Sequence, residues 1–246
     1  MIEKLPIVLI SYVALLFSLC VHEASHASVA YLLKDDTAKR MGRMTLNPIA
    51  HISLVGTVIF PLLGLFTGWP FIGWAKPVPV DPRNLAMKSK RLAYSIVSAA
   101  GPASNLVLTM VFLPVAALMA RSLGADAPQM REAIFHAGLT ADLDALRGFG
   151  LAPAQVVAMA LAGTLVWINL LLAFFNMLPF GPLDGAGVIR GFLPWRWLPK
   201  FDRAQPVMGI VILVAAVTGL LGYILGPMLA AASFVLSPIA NAILGA

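Results

Sequence analysis

The sequence holds one cysteine, Cys20, and few charges: Asp, Glu, Lys and Arg make up 11% of its 246 residues. A single cysteine excludes an intrachain disulfide and says nothing firm about compartment. A charged fraction this low stands against 60% apolar residues and a mean hydropathy of +0.89. That excludes an ordinary water-soluble domain, where about a quarter of residues are charged. The chain is integral to a membrane. Its length allows about four to six crossings of ~20 residues with their loops, which leaves no room for a large soluble domain. The net charge of +6 invites a nucleic-acid reading. The basic residues lie in short loops between apolar runs, however, so they read as topology signals and contacts to anionic lipid, and no nucleic-acid partner is expected. Near the N-terminus Glu3 and Lys4 cancel, the apolar run outlasts a signal-peptide core, and no A-x-A site follows it. The first helix is therefore expected to be retained.

The apolar runs cover about 5–33, 52–74, 92–120, 153–178, 206–225 and 227–244. This pattern predicts a single all-α polytopic membrane domain over 1–246, with a C-terminal helical hairpin at about 206–244. The first run would be about 43 Å long as a helix, more than a hydrocarbon core of about 30 Å, so it must tilt or project. The run 52–74 is interrupted by Pro61, Gly64, Gly68 and Pro70 and could cross or dip in and return. Charge favours return. If it is re-entrant, only Lys4, Arg121, Arg131 and Arg147 of the 17 basic residues fall outside, and the other thirteen lie on the inner side. Residues 43–46 alternate polar and apolar, which predicts a short strand or hairpin near 41–48, a candidate docking edge for an unwound substrate segment. The loop 121–152 carries no motif and is expected to be helical in part.

Ionisable side chains interrupt the first run. "VHEASH", 21–26, places His22, Glu23 and His26 where hydrocarbon would surround the chain. Positions i and i+4 share a helix face about 6 Å apart along the axis, so His22 and His26 can bind one metal ion. Glu23 can point toward a water on that ion as general base, the H-E-x-x-H arrangement of zinc hydrolases. Imidazole nitrogen suits zinc, and a catalytic site keeps one position open. Ionisable groups at bilayer depth are costly and usually face a cavity with a partner, so three together need one joint explanation.

A third ligand has to come from elsewhere. The other histidines are His51 and His136, and the best carboxylate is Asp184, in "FNMLPFGPLDGAGVIRG", 175–191. Pro179, Gly181 and Pro182 break the preceding apolar helix just before it. Both His22–His26 and Asp184 then lie toward the inner face at similar depth. Asp184 could instead cap the short helix that follows. His51, after "LNP", reads as a loop or lining residue before it reads as a ligand, and His136 as solvated. Cys20 lies about 200° around the helix from His22 and reads as apolar packing.

His22-Glu23-Ala24-Ser25-His26, "AGPASN" at 100–105 and "NMLPFGPLDG" at 176–185 together resemble the site-2 protease family of intramembrane zinc metalloproteases. The resemblance implies a three-helix catalytic core, one zinc ion held by His22, His26 and Asp184, Glu23 as general base, and cleavage of a transmembrane substrate segment near the cytoplasmic side. It also implies a substrate or oxyanion contact for Asn176, whose alternative is an interhelical hydrogen bond. Asn105 could line the same cavity, while Gly101 and Pro102 allow close helix approach. Asn169, seven residues before Asn176, reads as packing. The chain departs from the family where Gly181 stands in place of a common proline and Ala186 in place of a second glycine. No stretch is long enough for a PDZ or nucleotide-sensing (CBS) module, so the chain looks like a compact subgroup, and a bacterial cytoplasmic membrane is the expected location. The rival readings are a metal-transporting or metal-sensing membrane protein, which needs ligands along a path, and a pseudoprotease that binds transmembrane helices without cutting them.

Overall fold

The structure, a computed structural model, describes residues 5–59, 73–122, 143–148 and 150–244. Helix α1, Leu5–Leu32, starts with Pro6 in its first turn, where a missing N–H costs nothing. It closes where Lys34 takes a φ of 77° and the Asp35 N–H returns to the Ala30 carbonyl. A single turn, α2 (Thr37–Arg40), a 3-10 turn Pro48–Ala50 and a π-helical turn Leu54–Ile59 follow. Residues 73–81 run without regular structure into α3, Lys90–Ser122. Then come α4 (Asp144–Arg147), α5 (Pro153–Asn176), α6 (Asp184–Phe192), α7 (Leu198–Val217) and α8 (Leu220–Leu244). The described residues are helical with no strand, and four helices are long and apolar enough to cross a membrane: Leu5–Leu32, Lys90–Ser122, Pro153–Asn176 and Leu220–Ala240. The protein is a multi-pass membrane protein.

One expectation changes, and the C-terminal boundaries are placed. The strand near 41–48 does not form: residues 41–47 are turns and bends. Arg43 is buried while Met44 and Leu46 are exposed. The C-terminal break falls at Thr218–Gly219, where Gly219 takes a φ of 79° and its N–H reaches the Ala216 carbonyl. Pro227 and Pro238 both lie inside α8. A left-handed glycine ends a helix, whereas proline is tolerated within membrane helices. The start of α7 carries Lys200, Asp202 and Arg203, so its apolar part is too short to span.

Of the run 52–74, residues 60–72 lie outside the described residues, as do His136 and most of the loop 121–152. The ends of the run are described, and they meet. The Trp74 N–H donates to the Gly56 carbonyl at 3.2 Å and the Lys76 N–H to the His51 carbonyl at 2.8 Å. A crossing would carry its ends about 30 Å apart, so this run returns to where it began.

The chain forms two compact units. Met1–Ser18, Leu106–Leu171 and Pro227–Ala246 make one; Leu19–Asn105 and Leu172–Gly226 make the other. The first packs Ile7 and Ile10 of α1 against Ala116 and Ala120 of α3 and Met159 and Ala160 of α5. Within it Asn169 donates to Ser18 Oγ at 2.9 Å and to the Leu165 carbonyl of its own helix, the packing role expected of it. The second buries Ala30, Leu85, Ala93 and Val97 together. It contains every candidate site residue.

Candidate metal centre

The polar residues of α1 between Val21 and Ser28 fall into two groups. Ser25 and Ser28 hydroxyls donate to carbonyls one turn back, Val21 and Ala24, and need nothing further. His22, Glu23 and His26 are all buried and must find partners off the helix. The two imidazoles stand one turn apart with their rings nearly perpendicular at 82° and their Nε2 atoms 3.1 Å apart.

Asp184 reaches them from α6. It lies 3.0 Å from His22 Nε2 through Oδ2 and 3.3 Å from His26 Nε2 through Oδ1. Leu183, not Asp184, occupies the cap position of α6, so the carboxylate is not spent on capping. The approach of α6 to α3 is close. A Cβ on Gly187 or Gly191 would overlap the side chains of Ser98 or Ser95, and Ser95 Oγ donates to the Val188 carbonyl at 2.7 Å. At Gly181 the N–H donates to Gln205 Oε1, a bond that the proline common at this position could not make. Arg190 and Asp202 pair at 2.9 Å, which ties α6 to α7.

The far nitrogens of both histidines are committed. His26 Nδ1 is 2.7 Å from the Val97 carbonyl, which can only accept, so this nitrogen carries the proton. His22 Nδ1 is 2.6 Å from Asn105 Oδ1. Each neutral ring then turns a lone pair inward from Nε2. Asp184 Oδ2 is buried and accepts no hydrogen bond, although His22 Nε2 is close by. Three electron-rich atoms thus converge with no proton between them. That is repulsive unless a cation joins them, and two imidazoles with one carboxylate form a zinc donor set. Among the described residues, these three form the one group of ligating side chains able to hold a metal, with donor atoms all within 4.8 Å of one another. The space is kept open by Gly101 of α3. A Cβ there would lie 2.3 Å from His26 Nε2 and 2.5 Å from His22 Nε2.

Glu23 points elsewhere. Its Oε2 accepts the Val78 N–H at 2.8 Å, from the irregular segment 73–81. That segment is strapped down at several points. Arg43 donates to the Lys76 and Pro77 carbonyls at 2.6 and 3.3 Å. Asp35, buried after α1, accepts the Asp81 N–H at 2.7 Å together with Asn84 Nδ2 and the Thr37 hydroxyl and N–H. Burial alone would raise the Asp35 carboxyl; these donors outweigh it and hold it below the usual carboxylate range.

The sequence brings His22, Glu23, His26 and Asp184 to notice; the structure gathers His22, His26 and Asp184, while Glu23, beside His22 on α1, accepts from Val78. His51 is apart from the cluster, buried with Nε2 at 2.8 Å from the Thr45 carbonyl. Asn176 is half-buried and donates to the Leu172 carbonyl of its own helix at 3.0 Å. Asn105 is fully buried against His22. Asp35, and the anchoring of the segment 73–81 by Asp35 and Arg43, lie outside the sequence expectations; the signal for the extended strap is Pro77, Pro79 and Pro82.

Comparison with known proteins agrees with this centre. Residues 10–218 match peptidase family M50. The chain is 37% identical over 228 residues to the Bacillus subtilis (strain 168) protein named "Putative zinc metalloprotease YwhC", covering 91% of this chain and 88% of that one. It is 31% identical over 190 residues to the Mycolicibacterium smegmatis protein named "Putative zinc metalloprotease Rip2", covering 77% of this chain and 58% of the relative's length. No solved structure gives a significant match. A zinc-type donor set on membrane helices, matched over most of its length, places this chain in peptidase family M50, the site-2 protease family, as an intramembrane zinc metalloprotease.

Proposed function

We propose that His22, His26 and Asp184 hold one zinc ion, that Glu23 is the general base, and that the substrate is a transmembrane segment of another membrane protein, cut near the cytoplasmic side. The observation that carries the ligand set is the inward lone pair on each histidine, facing an unpaired carboxylate oxygen. When bound, zinc supplies Lewis acidity at the scissile carbonyl and makes water acidic enough to ionise near neutral pH.

The side chains divide the remaining work. Glu23 takes the proton from the attacking water and returns it to the leaving amine. Its Oε2 accepts the Val78 N–H, which holds the side chain against the segment 73–81. Asn176, at the end of α5 eight residues before Asp184, is assigned the contact to the substrate backbone or the developing oxyanion, a role worth a few kcal/mol, although in the free chain its amide donates to the Leu172 carbonyl. α1, α3 and α5 form the three-helix catalytic core. The substrate helix has to unwind before its amide can reach the site, because a helical amide is enclosed by its own hydrogen bonds. The returning run 52–74 supports the inner-side assignment, since it keeps the basic residues from Lys76 to Arg91 with those that follow α1. On this topology the protein sits in a bacterial cytoplasmic membrane with its site toward the cytoplasm.

Glu23→Gln tests the assignment. Purified chain in lipid vesicles with a labelled transmembrane peptide should lose cleavage while keeping zinc, because the carboxylate is a base and not a ligand. Loss of zinc along with activity would place Glu23 among the ligands and overturn its role as base.

A further inference from the structure

The metal-binding side chains come from α1 and α6, yet α3 touches the same centre at three positions spaced four residues apart. Val97, Gly101 and Asn105 lie on one face of α3. Val97 offers its carbonyl to His26 Nδ1, Gly101 leaves open the space beside both Nε2 atoms, and Asn105 sets Oδ1 2.6 Å from His22 Nδ1. None of the three is a ligand. We propose that Asn105 is a positioning residue of the zinc centre: its carboxamide oxygen fixes the proton of His22 on Nδ1 and so presents Nε2 to the metal. This rests on the zinc assignment above.

A neutral imidazole carries one proton and can place it on either nitrogen. For His26 the choice is made by backbone, since a carbonyl cannot donate. For His22 it rests on one side chain. An apolar residue at 105 would leave Nδ1 buried with nothing to accept its proton. The ring would then favour the other tautomer, with the proton on Nε2, where Asp184 Oδ2 waits 3.0 Å away. That arrangement replaces a ligand bond with a hydrogen bond and opposes the metal. Asn105 also constrains where the ring sits, because it is fully buried on a helix that cannot shift without moving Gly101 into the histidines. Groups that hold metal-ligating histidines by the far nitrogen change metal affinity by about 10–100-fold when removed.

The test measures zinc dissociation by chelator competition on the full chain in detergent, for wild type, Asn105→Leu and Asn105→Asp, with the cobalt(II) absorption spectrum of each. Aspartate keeps an acceptor at the same reach; leucine keeps the volume and removes the acceptor. The expected result is about 10–100-fold weaker zinc binding in the leucine variant, with an altered cobalt spectrum. The aspartate variant should hold zinc within a few-fold of wild type. Should the leucine variant not fold, Asn105→Ala, which cannot overpack the site, replaces it with the same expectation. Equal affinity in all variants overturns the proposal, and so does equal loss in the aspartate and leucine variants, since packing would then be the cause. Wild-type protein that binds no zinc would instead overturn the metal assignment itself.

Discussion

Gly101→Ala adds one methyl group to the chain, and the structure says where it goes. The new Cβ would lie 2.3 Å from His26 Nε2 and 2.5 Å from both Cε1 and Nε2 of His22. Ordinary contact between such atoms begins near 3.5 Å, so both rings must retreat by roughly 1 Å. Zinc–nitrogen bonds are about 2.0–2.1 Å long and tolerate only a few tenths of an ångström. A shift of that size removes two of three protein ligands from reach, while the methyl itself stands in the space they share. Overpacking of this kind costs about 1–3 kcal/mol of stability, which a chain this size can absorb. The expected outcome is a folded protein, helical by circular dichroism, with zinc affinity reduced by more than the 100-fold upper range for loss of a supporting group and no cleavage. Metal analysis after dialysis against a weak chelator reads it directly. A variant with one zinc per chain and wild-type turnover would refute the placement of α3 against the histidines.

Other expectations follow from the strap and the topology. The donors around Asp35 hold its carboxyl below the usual carboxylate range in the folded chain, so its contribution is fully present above the unfolded-state pKa near 4 and is lost as pH falls below it. Melting temperature of the wild type in detergent should fall more steeply between about pH 4 and pH 2 than that of Asp35→Asn; parallel curves would contradict the assignment. At neutral pH the same variant should cost about 1–3 kcal/mol, because one amide group now faces a donor. Arg43→Met should free the Lys76 and Pro77 carbonyls and lower stability by about 1.5–3 kcal/mol, while zinc content stays unchanged. A cysteine placed at Ala86 in a Cys20→Ala background should react with an impermeant reagent from the inner side only. Labelling from outside would contradict the inner placement of the site.

How much of this could be read from the residues depends on whether the chemistry is local. His22, Glu23 and His26 lie within two turns of one helix, so their shared face follows from helical geometry alone. Asp184 was legible because Pro179 and Pro182 mark the break before it, although its choice between ligand and cap was open until α6 formed with Leu183 at the cap. The strand near 43–46 failed for a physical reason. Residues 43–46 alternate in exposure as well as polarity, but Arg43 spends its donors on two carbonyls of the strap and the backbone turns instead of extending. The boundary between the last two apolar runs moved from about 226 to Gly219, because a left-handed glycine ends a helix, whereas Pro227 and Pro238 are accommodated inside α8. Asn105 was noticed as a cavity residue, yet its contact with His22 spans 83 positions in sequence, and no local pattern encodes it.

Zinc content per chain, measured on detergent-purified wild type beside Asp184→Ala and Glu23→Gln, tests the central claim most directly. One zinc in the wild type and in the glutamine variant, with loss in the alanine variant, is the predicted result. No zinc in any of them after chelator-free purification and attempted reloading would mean that His22, His26 and Asp184 do not form a metal centre, and would contradict the account.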